Sequence, residues 1–377
     1  MKLTCLQENL SKGLGVVGRA VPTRTPLPAA THILLAPEGG RLKLAATNLE
    51  IAISCWVGAQ VEEPRPIAVP ARLFTDFVNS LPNDRIDMSL IPGTHNVQLV
   101  CGRYKARISG LDADDFPPIP VLTEGITSSI EAAALRNAIG RVVFAAATEE
   151  SRPVLTGVHC RFAGKRLTLA AADGFRLAVQ PVELASAVAE DTEVIIPANA
   201  LKEVQRLLGE EEEPVSITIS PAQHQVLFVL KSTQMVAQLL QGTYPNYNQL
   251  IPKEFATRTM INADQFLKAT RTASIFARDA SGIVRVQVTP GADGAAGKIV
   301  VSARADELGD NDVEVEAKVE GAEAKIAFNS RYLMELLSVV KEGQVALETT
   351  TPSSPGVLRP VGENGYLHVI MPMFVQW

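Results

Sequence analysis

Three places in the chain, besides scattered cysteines and histidines, hold residue types that could do chemistry. Gly13-Leu14-Gly15-Val16-Val17-Gly18 matches G-x-G-x-x-G, the turn that seats a pyrophosphate at a helix N-terminus. That turn needs a strand before it, a long helix after it and an acidic residue about 20 positions on. Here apolar residues at helical spacing already begin at Leu6, and Pro22, Pro26 and Pro28 forbid a following helix. The glycines therefore read as points where a helix packs closely against its neighbours. Gly297-Lys298 resembles the end of a phosphate loop, but Ala292 stands at the first glycine position and Ile299 replaces the hydroxyl that would hold magnesium. Asp112, Asp114 and Asp115 could act as acid and base or hold a cation. They stand beside a Pro-rich stretch with no histidine or further acid at ligand spacing, so turn capping is the expectation. Cys5, Cys55, Cys101 and Cys160 form no C-x-x-C, and the five histidines form no H-x-x-x-H. Reduced core cysteines, no metal and no cofactor are expected. No G-x-S-x-G elbow is present. These patterns point away from catalysis.

The elements that would position any site repeat. Gly40-Arg41-Leu42-Lys43-Leu44-Ala45-Ala46-Thr47 returns roughly 125 residues later as Gly164-Lys165-Arg166-Leu167-Thr168-Leu169-Ala170-Ala171. Ile67-Ala68-Val69-Pro70-Ala71 returns as Ile195-Ile196-Pro197-Ala198, and more faintly as Ile326-Ala327-Phe328-Asn329-Ser330. Pro-rich exits at Phe116-Pro117-Pro118 and Tyr244-Pro245 place boundaries near 125 and 253, giving units 1–125, 126–253 and 254–377. Each unit carries two stretches of helical periodicity. In the first, Leu6, Leu10, Leu14, Val17 and Val21 mark a helix over 8–24, and Leu73, Phe77, Val78 and Leu81 mark one over 71–81. The others are expected at 130–148, 198–209, 263–278 and 330–341. Alternating segments such as Val215-Ser216-Ile217-Thr218-Ile219 read as antiparallel strands. The class is α+β: three copies of a two-helix, antiparallel-sheet unit with approximate rotational symmetry.

Net charge is −6, which by itself disfavours phosphate binding. Its distribution does not. Every one of the six helical stretches is neutral or positive, through Lys12, Arg19, Arg24, Arg72, Arg136, Arg141, Lys202, Arg206, Lys268 and Arg271 among others. Helices facing one way would make a basic wall on an acidic body, able to attract a phosphate backbone without reading bases. No apolar run reaches the roughly 18 residues of a membrane span, and the start of the chain lacks a signal-peptide pattern. Cytoplasm is the expected compartment.

Seven short segments, in order along the whole chain, carry a resemblance. They are Thr23-Arg24-Thr25-Pro26-Leu27-Pro28, Thr47-Asn48-Leu49-Glu50, Val69-Pro70-Ala71-Arg72, Ala172-Asp173-Gly174-Phe175-Arg176-Leu177-Ala178, Tyr244-Pro245-Asn246-Tyr247, Phe328-Asn329-Ser330-Arg331-Tyr332 and Val369-Ile370-Met371-Pro372-Met373. On these the sequence resembles the β subunit of bacterial DNA polymerase III, the sliding clamp. The resemblance implies a head-to-tail homodimeric ring of six similar domains, with helices lining a hole that encircles duplex DNA without sequence preference. It implies a non-catalytic processivity factor that tethers the replicative polymerase, the clamp loader and repair proteins. Their short Leu/Phe-rich motifs would enter an apolar groove. By position that groove takes Leu155, Ala172, Gly174, Phe175, Arg176, Leu177, Pro245, Leu250, Asn329, Tyr332, Pro355, Val369, Met371, Pro372 and Met373. Methionines suit a surface that accepts several partners. Three departures stand out. Phe175 occupies a common histidine position, Ala198-Asn199 replaces a more basic pair, and Phe374-Val375-Gln376-Trp377 extends past the usual end, to cover the groove or lengthen it. The alternative readings are a protein-interaction scaffold of the same fold that never meets DNA, and an enzyme centred on Asp112–Asp115.

Overall fold

The computed structural model describes every residue except 123, 150, 210, 278–281, 293–295, 306–308, 341–342 and 364. Arg278 and Lys341, counted with the helical charge, lie outside the described residues. Each third of the chain runs strand, helix, four strands, helix, three strands. The first third is β1 (Lys2–Leu6), α1 (Gln7–Val17), β2 (His32–Glu38), β3 (Arg41–Thr47), β4 (Ile51–Glu63), β5 (Ile67–Pro70), α2 (Ala71–Ser80), β6 (Arg85–Leu90), β7 (Asn96–Cys101) and β8 (Tyr104–Ser109). The second is β9 (Ile126–Ile130), α3 (Ala132–Val142), β10 (Gly157–Ala163), β11 (Arg166–Ala172), β12 (Arg176–Glu183), β13 (Thr192–Pro197), α4 (Ala198–Leu208), β14 (Val215–Ser220), β15 (Gln225–Val229) and β16 (Thr233–Gln238). The third is β17 (Thr257–Asn262), α5 (Ala263–Ala277), β18 (Ile283–Thr289), β19 (Gly297–Ala305), β20 (Gly309–Gly321), β21 (Ala324–Asn329), α6 (Ser330–Val339), β22 (Gln344–Thr349), β23 (Gly356–Pro360) and β24 (Leu367–Ile370).

Local chemistry accounts for these elements. On α1 the buried face is Leu10, Gly13, Leu14 and Val17, one stripe at helical spacing. On β7 burial alternates residue by residue, the mark of a strand with one face on the core. Two expected helices are shorter than their periodicity suggested. The first stops at Val17 and tightens into a 3₁₀ turn, Gly18–Ala20, because Val21 turns extended ahead of Pro22. The third breaks into a 3₁₀ turn at Val143–Ala145. Leu6 ends β1 and is exposed, and the buried stripe of α2 uses Phe74 where Leu73 was expected. Asp112 does cap a turn: its carboxylate accepts from Asp114 N at 3.1 Å. All four cysteines are free and buried. No described helix is long and apolar enough to cross a membrane.

All the pairings are antiparallel, and two twelve-stranded sheets result. Each sheet runs through a boundary between thirds. Ile51–Cys55 of β4 pairs with Thr233–Ala237 of β16. Arg176–Val179 of β12 pairs with Leu367–Ile370 of β24. In each third the chain leaving the last strand bonds the edge strand that feeds the second helix. Leu111 N donates to Ala68 O, Leu240 N to Ile195 O and Met373 N to Ala327 O, at 2.8, 2.9 and 2.8 Å. The helices pair within each third, α1 with α2, α3 with α4 and α5 with α6, and α3 also meets α6. The Arg19–Glu203 ion pair at 3.8 Å ties the end of α1 to α4.

The G-x-G-x-x-G glycines separate on this structure. A Cβ on Gly13 would fall 2.6 Å from Val57 and 2.8 Å from Leu44, whereas Gly15 and Gly18 have open space. Gly13→Ala is therefore expected to cost about 1–3 kcal/mol by overpacking, and Gly15→Ala to stabilise by up to about 1 kcal/mol. Urea denaturation midpoints check the pair, and equal shifts would contradict the packing role of Gly13.

Candidate functional site

The second boundary carries the densest chemistry. Between β11 and β12 the chain turns at Asp173-Gly174-Phe175. Asp173 Oδ1 accepts from Phe175 N at 2.9 Å and Arg176 N at 3.1 Å, while Oδ2 accepts from Arg176 Nε at 3.0 Å. Gly174 has φ +94°, a conformation that costs a side-chain-bearing residue dearly. The turn pushes Phe175 outward, 61% exposed, and turns Arg176 inward, 6% exposed. Arg176 then spans the boundary. Its guanidinium bonds Glu335 on α6, donates to Phe144 O at 2.6 Å and lies 4.4 Å from the Tyr332 ring centroid. A buried cation is tolerable only with its hydrogen-bonding groups satisfied, and here partners come from both thirds.

Burial alone would raise the Glu335 pKa, but hydrogen bonds from Arg176 and Arg331, with their charges, hold it below its ordinary range. Behind Arg176, His368 on β24 is fully buried, stacked on Phe144 at 5.5 Å, with neither ring nitrogen bonded. Burial, reinforced by the Arg176 charge, pushes its pKa down to about 3.

Outside this strut lies a small apolar cluster separate from the main core. It comprises Ala170, Ala172, Leu177, Val179, Val357 and Val369, with Tyr247, Ile251 and Leu367 packed against it. Tyr244 pins the linker over it: its hydroxyl accepts from Ala172 N at 2.9 Å, and its ring stacks on His159 at 5.3 Å. Burial pushes the Tyr244 phenol up. Met371 N donates to Phe175 O at 2.9 Å, so the two backbones meet at the rim. Leu250, Phe175 and Met371 leave exposed apolar surface there.

Of the residues placed by resemblance, Ala172, Leu177 and Val369 form the floor, Arg176 and Tyr332 stack, and Phe175 and Met371 share the rim. Asn329 caps α6, accepting from Arg331 N at 3.0 Å. Pro245 is exposed on the linker, and Pro355 precedes β23. Leu155 lies buried in the 3₁₀ turn Pro153–Thr156. Pro372 and Met373 lead the tail onto β21. Asp173, Tyr244, Val179, Ile251 and Glu335 also build this surface and were not among the residues placed by resemblance; Val179 lies two residues beyond Leu177 on β12 and packs in the same cluster. The tail neither folds back over the floor nor stays free. Arg285 donates to Gln376 O at 3.2 Å, and Lys325 sits 5.8 Å from the Trp377 ring centroid.

The basic residues divide. Lys12 pairs with Glu8 at 2.5 Å, Arg72 with Asp76 at 3.9 Å and Lys268 with Asp264 at 2.7 Å, all on exposed helix faces. Such pairs are weak and exchangeable. Arg206 pairs with Glu203, and Arg136 donates to Gly209 O. Arg24 lies exposed in the loop beyond α1, and Lys202 is half-buried on α4. Arg271 and Arg331 line an open hollow with Gly140, Phe144 and Met334 between the helices of the second and third units. Arg141, expected as a DNA contact, bonds Glu363 and Gln180 and sits 5.4 Å from the Tyr366 ring centroid, which makes it a second strut across the boundary.

Three family models together span nearly the whole chain: the DNA polymerase III beta subunit N-terminal domain at 1–120, central domain at 129–246 and C-terminal domain at 248–374. The chain belongs to this family of sliding clamps. It is 32% identical over 376 residues to the beta sliding clamp of Synechococcus elongatus, covering 99% of both chains. The Bacillus subtilis sliding clamp structure superposes with a TM-score of 0.94 at 27% identity, covering 100% of each chain. That of Pseudomonas aeruginosa gives 0.91 at 28%, again covering 100% of each. Membership makes the clamp chain a non-catalytic processivity factor of DNA polymerase III in DNA replication.

Glu335 and His368 make the boundary acid-sensitive. Both folded pKa values lie below their unfolded values of 4.5 and 6.5. Their stabilisation is therefore complete above those values and lost as pH falls, His368 starting first. Stability is expected to drop below about pH 6.5 by up to about 1.4 kcal/mol per pH unit for each group. His368→Phe should remove the upper part of that loss and Glu335→Gln the lower part. Denaturant titrations at a series of pH values check it; unchanged pH profiles would contradict both roles.

Proposed function

We propose that two copies of the clamp chain close head to tail into a ring around duplex DNA, with the helices inward. The groove at the second boundary then holds the short Leu/Phe-rich segments of the polymerase, clamp loader and repair proteins. The observation that carries the ring is a matched pair of open edges. Two boundaries are sealed by β4 with β16 and by β12 with β24. The strands in the same structural places at the ends of the repeat are β20, which follows β19 as β4 follows β3, and β8, which follows β7 as β16 follows β15.

Transferring the register of the first boundary to β20 and β8 of a second copy sets Lys105 against Asp312 and Arg107 against Asp310. Tyr104 then faces Val313, and Ile108 faces Gly309. Arg304 already lies opposite Asp310 within its own sheet, so the charges alternate across three strands. Opposite charges directly across antiparallel strands contribute roughly 0.2–1 kcal/mol per pair, and the backbone bonds come with them. Such a ring holds DNA by topology. An acidic chain can then serve DNA with loose contacts from exposed helix residues such as Arg72 and Lys268, and tight phosphate contact would oppose sliding. A replication factor works beside the chromosome, so cytoplasm is the proposed compartment.

Lys105→Glu with Arg107→Glu is expected to give monomers in sedimentation velocity. Adding Asp310→Lys and Asp312→Lys to the same chain should restore the dimer. A first pair that stays dimeric, or a fourfold variant that stays monomeric while folded, would reject the register.

A further inference from the structure

The outer face of the first boundary repeats the geometry of the groove with different chemistry. Ala52 lies opposite Val236 across β4 and β16, as Leu177 lies opposite Val369 across β12 and β24. Leu227 backs Val236 as Val357 backs Val369. The two linkers start from equivalent bridges, Leu111 with Ala68 and Leu240 with Ile195. Val121 and Leu250 follow them at equal separation, and both are exposed, Val121 at 73%. A cavity of about 220 Å³ opens there, bounded by Ala52, Leu227 and Val236 on the sheet and Ile119–Leu122 on the linker.

Substitution of the lining changes what fits. Leu177, Val179, Leu367 and Thr168 of the second boundary correspond by register to Ala52, Ser54, Gln234 and Lys43 of the first. Alanine in place of leucine hollows the floor. Ser54 and Gln234 bring a hydroxyl and an amide that can bond a peptide backbone. Lys43 brings a cation, 3.3 Å from the exposed Glu38 and 5.3 Å from the Trp56 ring centroid. Arg41 sits on the same ring at 5.9 Å. Lys43 is partly buried but Glu38 is exposed, and an ion pair open to water on one side is weak, so Lys43 can exchange Glu38 for an incoming carboxylate.

We propose that this cavity is a second docking site, for an extended partner segment that carries an aliphatic side chain beside an acidic residue. The aliphatic group sits against Leu227, Val236 and Val121, the carboxylate reaches Lys43, and Gln234 bonds the backbone. Two sites in equivalent places with unlike linings let a single clamp chain hold two kinds of partner without competition. The inference rests on the partner-groove reading of the second boundary, and each site has its own reporters.

Methyl NMR of the full-length protein, titrated separately with the pentapeptides Gln-Leu-Asp-Leu-Asp, Gln-Leu-Lys-Leu-Lys and Gln-Leu-Ser-Leu-Phe, tests it. The acidic peptide is expected to shift the methyls of Val121, Leu227 and Val236 saturably, and the lysine peptide to leave them unmoved. Lys43→Met should weaken the acidic peptide about tenfold, the loss of one charge-assisted contact. Shifts of Leu177, Leu250, Val369 and Met371 by Gln-Leu-Ser-Leu-Phe report the other groove and should persist in Lys43→Met. An acidic peptide that leaves the first set unmoved, shifts matched by the lysine peptide, or indifference to Lys43→Met in folded protein would each overturn the second site. Failure of Gln-Leu-Ser-Leu-Phe at its own methyls would instead overturn the partner-groove reading.

Discussion

An antiparallel sheet ends where a strand has no neighbour, and an unpaired edge in water is a template for another strand. This chain resolves the problem twice by pairing one unit's edge with the next, at β4–β16 and β12–β24. The proposed ring and both proposed docking surfaces depend on that device. It joins the three units through two continuous sheets and, among the described residues, leaves one side of β8 and of the first half of β20 without a strand partner. It also creates a furrow on the outer face wherever two units meet, roofed on one side by the linker. Both proposed docking surfaces lie where the sheets are joined.

The second boundary shows how such a furrow is made firm. Arg176 is nearly fully buried, and removing its partners would leave a stranded charge, a loss of several kcal/mol for buried pairs. Its contacts with Asp173, Glu335, Phe144 and Tyr332 lock the turn that exposes Phe175 to the backbone that presents Met371. Arg141 with Glu363 adds a second tie. A rigid floor with an adaptable methionine and phenylalanine rim is a sound arrangement for binding several related peptides.

Much of the fold was legible because its signals are local. Apolar spacing located all six helices, and the repeat implied three equivalent units before any contact was known. Errors arose where tertiary packing decides between neighbouring residues: Phe74 fills the core in place of Leu73, and Leu6 closes a strand. The sheet continuity across boundaries was not legible from periodicity, because nothing local in Ile51–Cys55 names Thr233–Ala237 as its partner. The groove came from resemblance, and its builders Asp173, Tyr244 and Glu335 were missed for the same reason: the partner of Arg176 on α6 stands far away in sequence. Charge on helices was visible, but not that Arg141 is engaged by Glu363.

The central claim is that β8 and β20 complete a third boundary like the other two. Hydrogen–deuterium exchange measured across a protein dilution series tests it most directly. Amides of 104–108 and 309–313 that point away from β7 and β19 should be protected at high concentration and exchange freely on dilution. Those of 51–55 and 233–237 should stay protected throughout. Concentration-independent exchange at both open edges, in protein that remains folded, would contradict the account.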